Sequence, residues 1–184
     1  DLDTGEWLEL PDRRQFRQRY GLADTDEIIL FVGRINWVKN LDKIIAALPT
    51  IRQRRPNVFF VCVGPDSDTH RDELIKLATD LDVSDRVLFT GLLEGEELKA
   101  AYASADVGVL VSIKENFGMS AAEALCSGLP VVLSDGVDMA SDWNSTSPAY
   151  RVVEQNVDAI AQGLCVVLEY SFCDENVSQT VRAF

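Results

Sequence analysis

Long apolar runs are missing from this chain. No stretch approaches the ~18–20 residues that span a bilayer, and no secretory leader opens the sequence. Positive charge is scarce as well: 17 Lys and Arg face 30 Asp and Glu, for a net charge of −13. That balance argues against nucleic acid as a main partner, because phosphate backbones reward clustered bases. A small phosphate ligand stays open, since it needs only a few local donors. The four cysteines, Cys62, Cys126, Cys165 and Cys173, lack metal-ligand spacing, and Cys62 and Cys126 lie within apolar segments. They read as reduced core thiols of a cytosolic protein rather than a disulfide framework. No internal repeat or low-complexity segment is visible. No G-x-G-x-x-G follows the first expected strand, which disfavours a nicotinamide-binding domain.

What is present is an ordinary folding composition. The 184 residues are 47% apolar and 26% charged, enough for one well-filled domain. Continuous Val/Ile/Leu/Phe-rich runs predict strands at 27–33, 57–64, 86–91, 106–112 and 129–134. Between them, Leu41, Ile44, Ile45, Leu48 and Ile51 make one apolar helical face, with Pro49 expected to kink or stop that helix near Leu48. Further helices are expected at 69–80, 95–104, 119–127 and 157–169. This alternation predicts an α/β fold, a Rossmann-like doubly wound parallel sheet. Its ligand crevice would lie at the carboxyl ends of the strands, after Gly33, Gly64, Gly91 and Ser112. Residues 135–150 are the weakest stretch, read as a short helix and a loop. The Asn144-Ser145-Thr146 triplet there matches the glycosylation acceptor pattern, as chance would supply. The charged opening, "DLDTGEWLELPDRRQFRQRYGL", and the close at "SQTVRAF" inside a possible helix suggest a domain excised from something larger.

Two segments carry candidate chemistry. In "GRINWVKN", Gly33 ends a strand while Arg34 and Lys39 flank the entry to the next helix. An anion there would meet free backbone N–H groups, a positive helix end and two cations. Taken alone, the segment is equally a solvated turn with surface bases, and Trp37 within it reads as packing on its own domain. The second segment is "SIKENFGMSAAEALCSGLPVV", residues 112–132. Gly118 permits close approach of a ligand, and the N–H groups from Asn116 to Met119 would face a phosphate at the helix start. Carboxylates do not favour phosphate, so Glu115 and Glu123 call for hydroxyl partners instead. A nucleotide sugar offers both, an anion flanked by two hydroxyl-rich groups. Singly, Glu115 is also explained as a first-turn acid, and Glu123 as an exposed position beside Ala122, Leu125 and Cys126. The "DSD" at Asp66–Asp68 matches a metal motif, but "DLD" and "DTD" elsewhere match it too; a turn and helix cap explain it better. His70 reads as a surface or capping residue.

The Glu-x7-Glu spacing from Glu115 to Glu123, together with "GRINWVKN" upstream and "ASADVGVLVSIKENFG", resembles the C-terminal half of retaining glycosyltransferases of family GT4. The resemblance covers about residues 27–169, and "RRQFRQRYGL" is similar to the segment after the interdomain linker in that family. It implies one half of a two-domain GT-B architecture, with residues 1–26 as lead-in, 27–170 as nucleotide-sugar donor-binding domain and 171–184 as a truncated C-terminal segment. By the same resemblance, Arg34 and Lys39 would bind the donor pyrophosphate and Glu115 the hydroxyls of the transferred sugar. Gly33, Asn116, Phe117, Gly118 and Met119 would line the site, Glu123 would hold the ribose, and the backbone near Leu92 and Leu93 would lie against the base. The implied reaction retains anomeric configuration and needs no metal, the cations and helix end stabilising the departing diphosphate.

Two departures from the family pattern stand out. The Gly-rich "DGxxG"-like turn after the fifth strand is replaced by "DGVDMASDWNSTSPAY", and the N-terminal acceptor-binding domain with its histidine, which the resemblance leads one to expect, lies outside these 184 residues. The expected function is therefore that of a donor domain, inactive as an isolated fragment, with a cytoplasmic location. The competing readings are another GT-B sugar-nucleotide enzyme of the 2-epimerase kind and a non-catalytic Rossmann-like binding module.

Overall fold

The computed structural model describes residues 7, 9–66, 69–140, 147 and 149–173. Asn144, Ser67 and Asp68 lie outside them. Six parallel strands form one sheet in the order β3-β2-β1-β4-β5-β6. They are β1 (Glu27–Val32), β2 (Val58–Val63), β3 (Val87–Gly91), β4 (Val107–Leu110), β5 (Val131–Ser134) and β6 (Tyr150–Val153). The helices are α1 (Arg13–Tyr20), α2 (Leu41–Arg54), α3 (His70–Asp80), α4 (Gly95–Ser104), α5 (Met119–Cys126) and α6 (Val157–Cys173). The chain runs outward from β1 to β3, then returns to lay β4 on the other side of β1. The reversal makes the β1/β4 boundary the switch point at which open α/β sheets bind ligands.

Burial follows the strand order. Strands β4 and β5 are buried throughout and β1 nearly so, whereas β3 at the sheet edge is half-buried along its length. Helices α3 and α6 each pack on α2, α1 packs on α4, and α5 lies against β4 and β5. The core joins Phe31 and Phe60 of the sheet to Leu41, Ile44, Ile45, Leu48 and Ile51 of α2. Here the expected break at Pro49 is corrected. The helix continues to Arg54, because burial of Leu48 and Ile51 on either side of Pro49 outweighs the one hydrogen bond its missing N–H forgoes.

Two elements go beyond the sequence reading. Helix α1 begins where Asp12 Oδ1 accepts from the Arg14 N–H at 2.9 Å and ends at Gly21 in the left-handed region. Its eight residues carry few apolar side chains, so no long periodicity betrays it. Strand β6 is only four residues long and follows the weakest stretch of the sequence. Close approach fixes Gly64: a Cβ there would stand 1.9 Å from the Gly33 carbonyl oxygen. Among the described residues, no helix is long and apolar enough to cross a membrane.

Candidate functional site

The crevice is assembled from the loops that leave β1, β4 and β5, with one side chain from beyond β6. Gly33 N–H donates to the Val63 carbonyl at 2.9 Å and Ile35 N–H to that of Pro65 at 2.9 Å, which anchors the loop after β1 on the loop after β2. A single 3-10 turn, Trp37–Lys39, then leads into α2 through Asn40, whose φ of 53° places it in the left-handed region. Asparagine tolerates that conformation better than most residues. The buried Asn40 side chain donates to the Val111 carbonyl at 2.9 Å, tying the start of α2 to the exit of β4.

The loop after β4 is held on both sides. Ile113 N–H donates to the Val38 carbonyl at 2.8 Å; Glu115 N–H donates to the Gly136 carbonyl at 2.9 Å, and Asp138 N–H returns to the Glu115 carbonyl at 2.8 Å. Gly136 cannot carry a side chain here, since a Cβ would lie 2.3 Å from the Ile113 oxygen. The turn that departs from the family pattern therefore still supports the Glu115 backbone, through Gly136 and Asp138. Gln155 adds a further tie, donating to Asp135 Oδ1 at 3.0 Å. These supports (Asn40, Gly136 and Gln155) are what the sequence reading missed. Only the Asn at a turn position gives a local signal; the others act through contacts distant in the chain.

Lys39 Nζ donates directly to Glu115 Oε2. Their side chains are 17% and 24% exposed, so water screens the pair far less than a surface ion pair. Burial by itself would raise the Glu115 pKa. The hydrogen bond and charge of Lys39, with the backbone N–H groups of Gly118 and Phe117, outweigh it and hold the carboxyl below the ordinary Glu value. Gly118 is the N-cap of α5, near the helix start the sequence suggested, and takes the left-handed conformation. Arg34 is exposed and makes no ion pair among the described residues.

Glu123 sits in the middle of α5 and is half-buried, not exposed. Its Oε2 accepts from the Tyr102 hydroxyl at 2.8 Å. Burial pushes its carboxyl above the ordinary Glu value, and the Tyr102 hydrogen bond offsets that only in part. The structure joins Glu115 to Lys39 but shows no direct bond between Glu123 and either of them among the described residues. Asn116, Phe117 and Met119 are exposed at the start of α5, and Trp37 is 68% exposed rather than packed on its own domain. Leu92 is exposed, while Leu93 is buried and, with Phe16 and Tyr20 of α1, lines a cavity of about 200 Å³. His70 opens α3 and pairs with Glu73 at 2.8 Å. No group of three or more His, Cys, Asp or Glu among the described residues is placed to hold a metal.

Chemically, the loops after β1 and β4 bring a cation, Lys39, against a carboxylate, Glu115, with Arg34 exposed on the first loop, while Glu123 stands further along α5 against Tyr102. Residues 12–181 match the family described as glycosyl transferases group 1. An uncharacterized glycosyltransferase of Methanocaldococcus jannaschii is 37% identical over 161 residues, 88% of this chain and 40% of that protein. A GDP-mannose-dependent alpha-(1-6)-phosphatidylinositol monomannoside mannosyltransferase of Mycolicibacterium smegmatis is 34% identical over 140 residues, 71% of this chain and 36% of that protein. The chain thus spans well under half the length of these relatives. Among solved structures, Anabaena Alr3699/HepE in complex with UDP superposes with a TM-score of 0.85 at 22% identity, over 99% of this chain and 50% of that one.

Proposed function

The chain belongs to the group 1 glycosyl transferases, and from that premise we propose that it is the donor-binding domain of a retaining enzyme that transfers a sugar from a nucleotide diphosphate. The observation that carries this reading is the contact between Lys39 and Glu115, 76 residues apart in sequence, at the switch point of the sheet. A cation for the diphosphate and an acceptor for sugar hydroxyls stand side by side where such a ligand would lie. The names of the relatives support it, one being GDP-mannose-dependent.

In this reading Arg34, Lys39 and the amides from Asn116 to Met119 take the diphosphate, Glu115 the transferred sugar and Glu123 the ribose. Gly33 leaves the backbone open to the phosphates, and the segment around Leu92 and Leu93 faces the base. As the bond from the sugar's anomeric carbon to the diphosphate breaks, negative charge grows on the leaving group and the sugar gains oxocarbenium character. Lys39 and Arg34 stabilise that charge more in the transition state than in the ground state, which is the electrostatic form of catalysis. The acceptor would be bound by an N-terminal domain, with residues 1–26 leading in from the linker, 27–170 forming the donor domain and 171–184 following it. The proposed setting is the cytoplasm, in keeping with the free thiols of Cys62, Cys126 and Cys165.

Calorimetric titration with UDP, GDP and ADP, then with their sugar conjugates, tests the proposal. Saturable binding selective for one base is expected, weakened at least about tenfold in an Arg34→Ala/Lys39→Ala double variant. Binding unchanged in that variant would remove both cations from the site. No binding of any of these ligands at millimolar concentration would sink the reading.

A further inference from the structure

Glu123 stands in the middle of α5, and one of its two carboxylate oxygens is already taken. Oε2 accepts from the Tyr102 hydroxyl at 2.8 Å, while no hydrogen bond to Oε1 occurs among the described residues. Tyr102 is itself locked in place. It is 3% exposed on α4, and its ring meets that of Trp7 in a T-shaped contact, centroids 5.1 Å apart at 89°. Trp7 is buried too, although it belongs to the lead-in ahead of α1. The Ser120 carbonyl lies within reach of the same hydroxyl at 3.2 Å. A phenol has one proton to give, and the shorter contact to a charged acceptor takes it. Burial, and then the charge of Glu123, push the phenol pKa above the ordinary tyrosine value, so the hydroxyl stays a donor. Ser120 alone would satisfy a buried phenol, so the half-buried carboxylate beside it calls for another reason.

We propose that Tyr102, backed by Trp7, is a positioning residue for the nucleotide site: it tethers Glu123 by Oε2 and leaves Oε1 to accept from a ribose hydroxyl. The inference rests on the donor-binding reading above and deepens it, by naming what presents Glu123 to the ligand and which of its oxygens is left. An untethered glutamate turns about three side-chain bonds, and a ligand that immobilised it would have to overcome that rotamer entropy. Held by Tyr102, the carboxylate loses this freedom when the domain folds, and the ribose meets an acceptor already in place. The lead-in thereby acts on the nucleotide site through Trp7, although it precedes β1 in the chain.

The test is calorimetric titration with whichever of UDP, GDP and ADP binds best, and with the dideoxy form of that nucleotide, which lacks both ribose hydroxyls. Tyr102→Phe keeps the buried ring and removes only the tether. It is expected to weaken the natural diphosphate about tenfold while leaving the dideoxy form within about twofold, so that the preference between them collapses. Equal weakening of both forms would mean a merely structural role, and a preference that Tyr102→Phe leaves intact would mean no role; either overturns the proposal. Repeating the titration at alkaline pH separates position from charge. A preference that returns there was lost by protonation of Glu123, which also overturns it. Trp7→Leu should reduce the preference in the same direction, and an unchanged preference strikes Trp7 from the pair. A wild-type chain that binds both forms equally removes Glu123 from the ribose and refutes this inference alone. Failure to bind UDP, GDP or ADP at all refutes the donor-binding reading with it.

Discussion

Tyr102 and Glu123 show how a site is tuned by a single side chain. They sit on α4 and α5, 21 residues apart, and the phenol donates to the carboxylate at 2.8 Å. The hydrogen bond favours the ionised form while burial opposes it. Tyr102→Phe removes the favourable part, so the Glu123 pKa is expected to climb further, as read by carbon-detected NMR titration of its carboxyl. A pKa that stays or falls would contradict the assigned balance. The sign for stability follows. With its folded pKa raised, Glu123 binds more protons in the folded than in the unfolded state over the window above the ordinary Glu value. Its contribution to stability declines as pH rises through that window, and the variant should widen it. Glu115 behaves oppositely. Its folded pKa is depressed, so its stabilising contribution is full above the reference value of 4.5 and is lost as pH falls through the folded value. At this scale the residue types were legible in the sequence, but neither the Tyr102 partner nor the half-burial of Glu123 was, since both arise from α4 packing beside α5.

Among the elements, α1 is held by a buried arginine. Arg17 is 1% exposed, donates to the carbonyls of Ala23, Asp26 and Ser104 at 2.6, 2.9 and 2.8 Å, and pairs with Asp106 at 3.3 Å. Phe16 adds apolar burial beside it. Arg17→Met keeps much of the packing but takes one donor each from three carbonyls and from Asp106, which retains the Ile28 N–H, and should cost about 3 kcal/mol in urea denaturation. A loss under about 1 kcal/mol would assign the docking of α1 to Phe16 instead. The sequence shows why α1 escapes a periodicity search: "RRQFRQRY" offers one strongly apolar residue, and its inward arginine looks like a surface one. The strands β1, β2, β4 and β5 were legible because both their faces are buried, which makes their apolar runs continuous. Strand β6 was not, because four residues at a sheet edge carry little pattern. Pro49 misled for a physical reason too: a local helix-breaking rule yields where the flanking residues are locked into the core.

For the whole molecule, ligand binding should appear as stability. A nucleotide sugar at a hundred times its dissociation constant stabilises the folded state by ~2.7 kcal/mol, provided the unfolded chain does not bind it. For a chain of this size that amounts to a rise of about 5–10 °C in Tm. Differential scanning calorimetry checks it, and an unchanged Tm under saturating conjugate would contradict donor binding. What the sequence determined by itself was the alternation of strands and helices, the placement of Gly33 at a strand end and Gly118 at a helix entry, and the chemical types of Arg34, Lys39, Glu115 and Glu123. These are local properties: periodicity, turn chemistry and charge are written in neighbouring residues. Only the tertiary structure decided that Lys39 and Glu115 touch. That contact exists because the chain, having laid β2 and β3 on one side of β1, returns to lay β4 on the other. Two loops separated by three helices and three strands then leave the sheet side by side, and no local signal in either could have announced it.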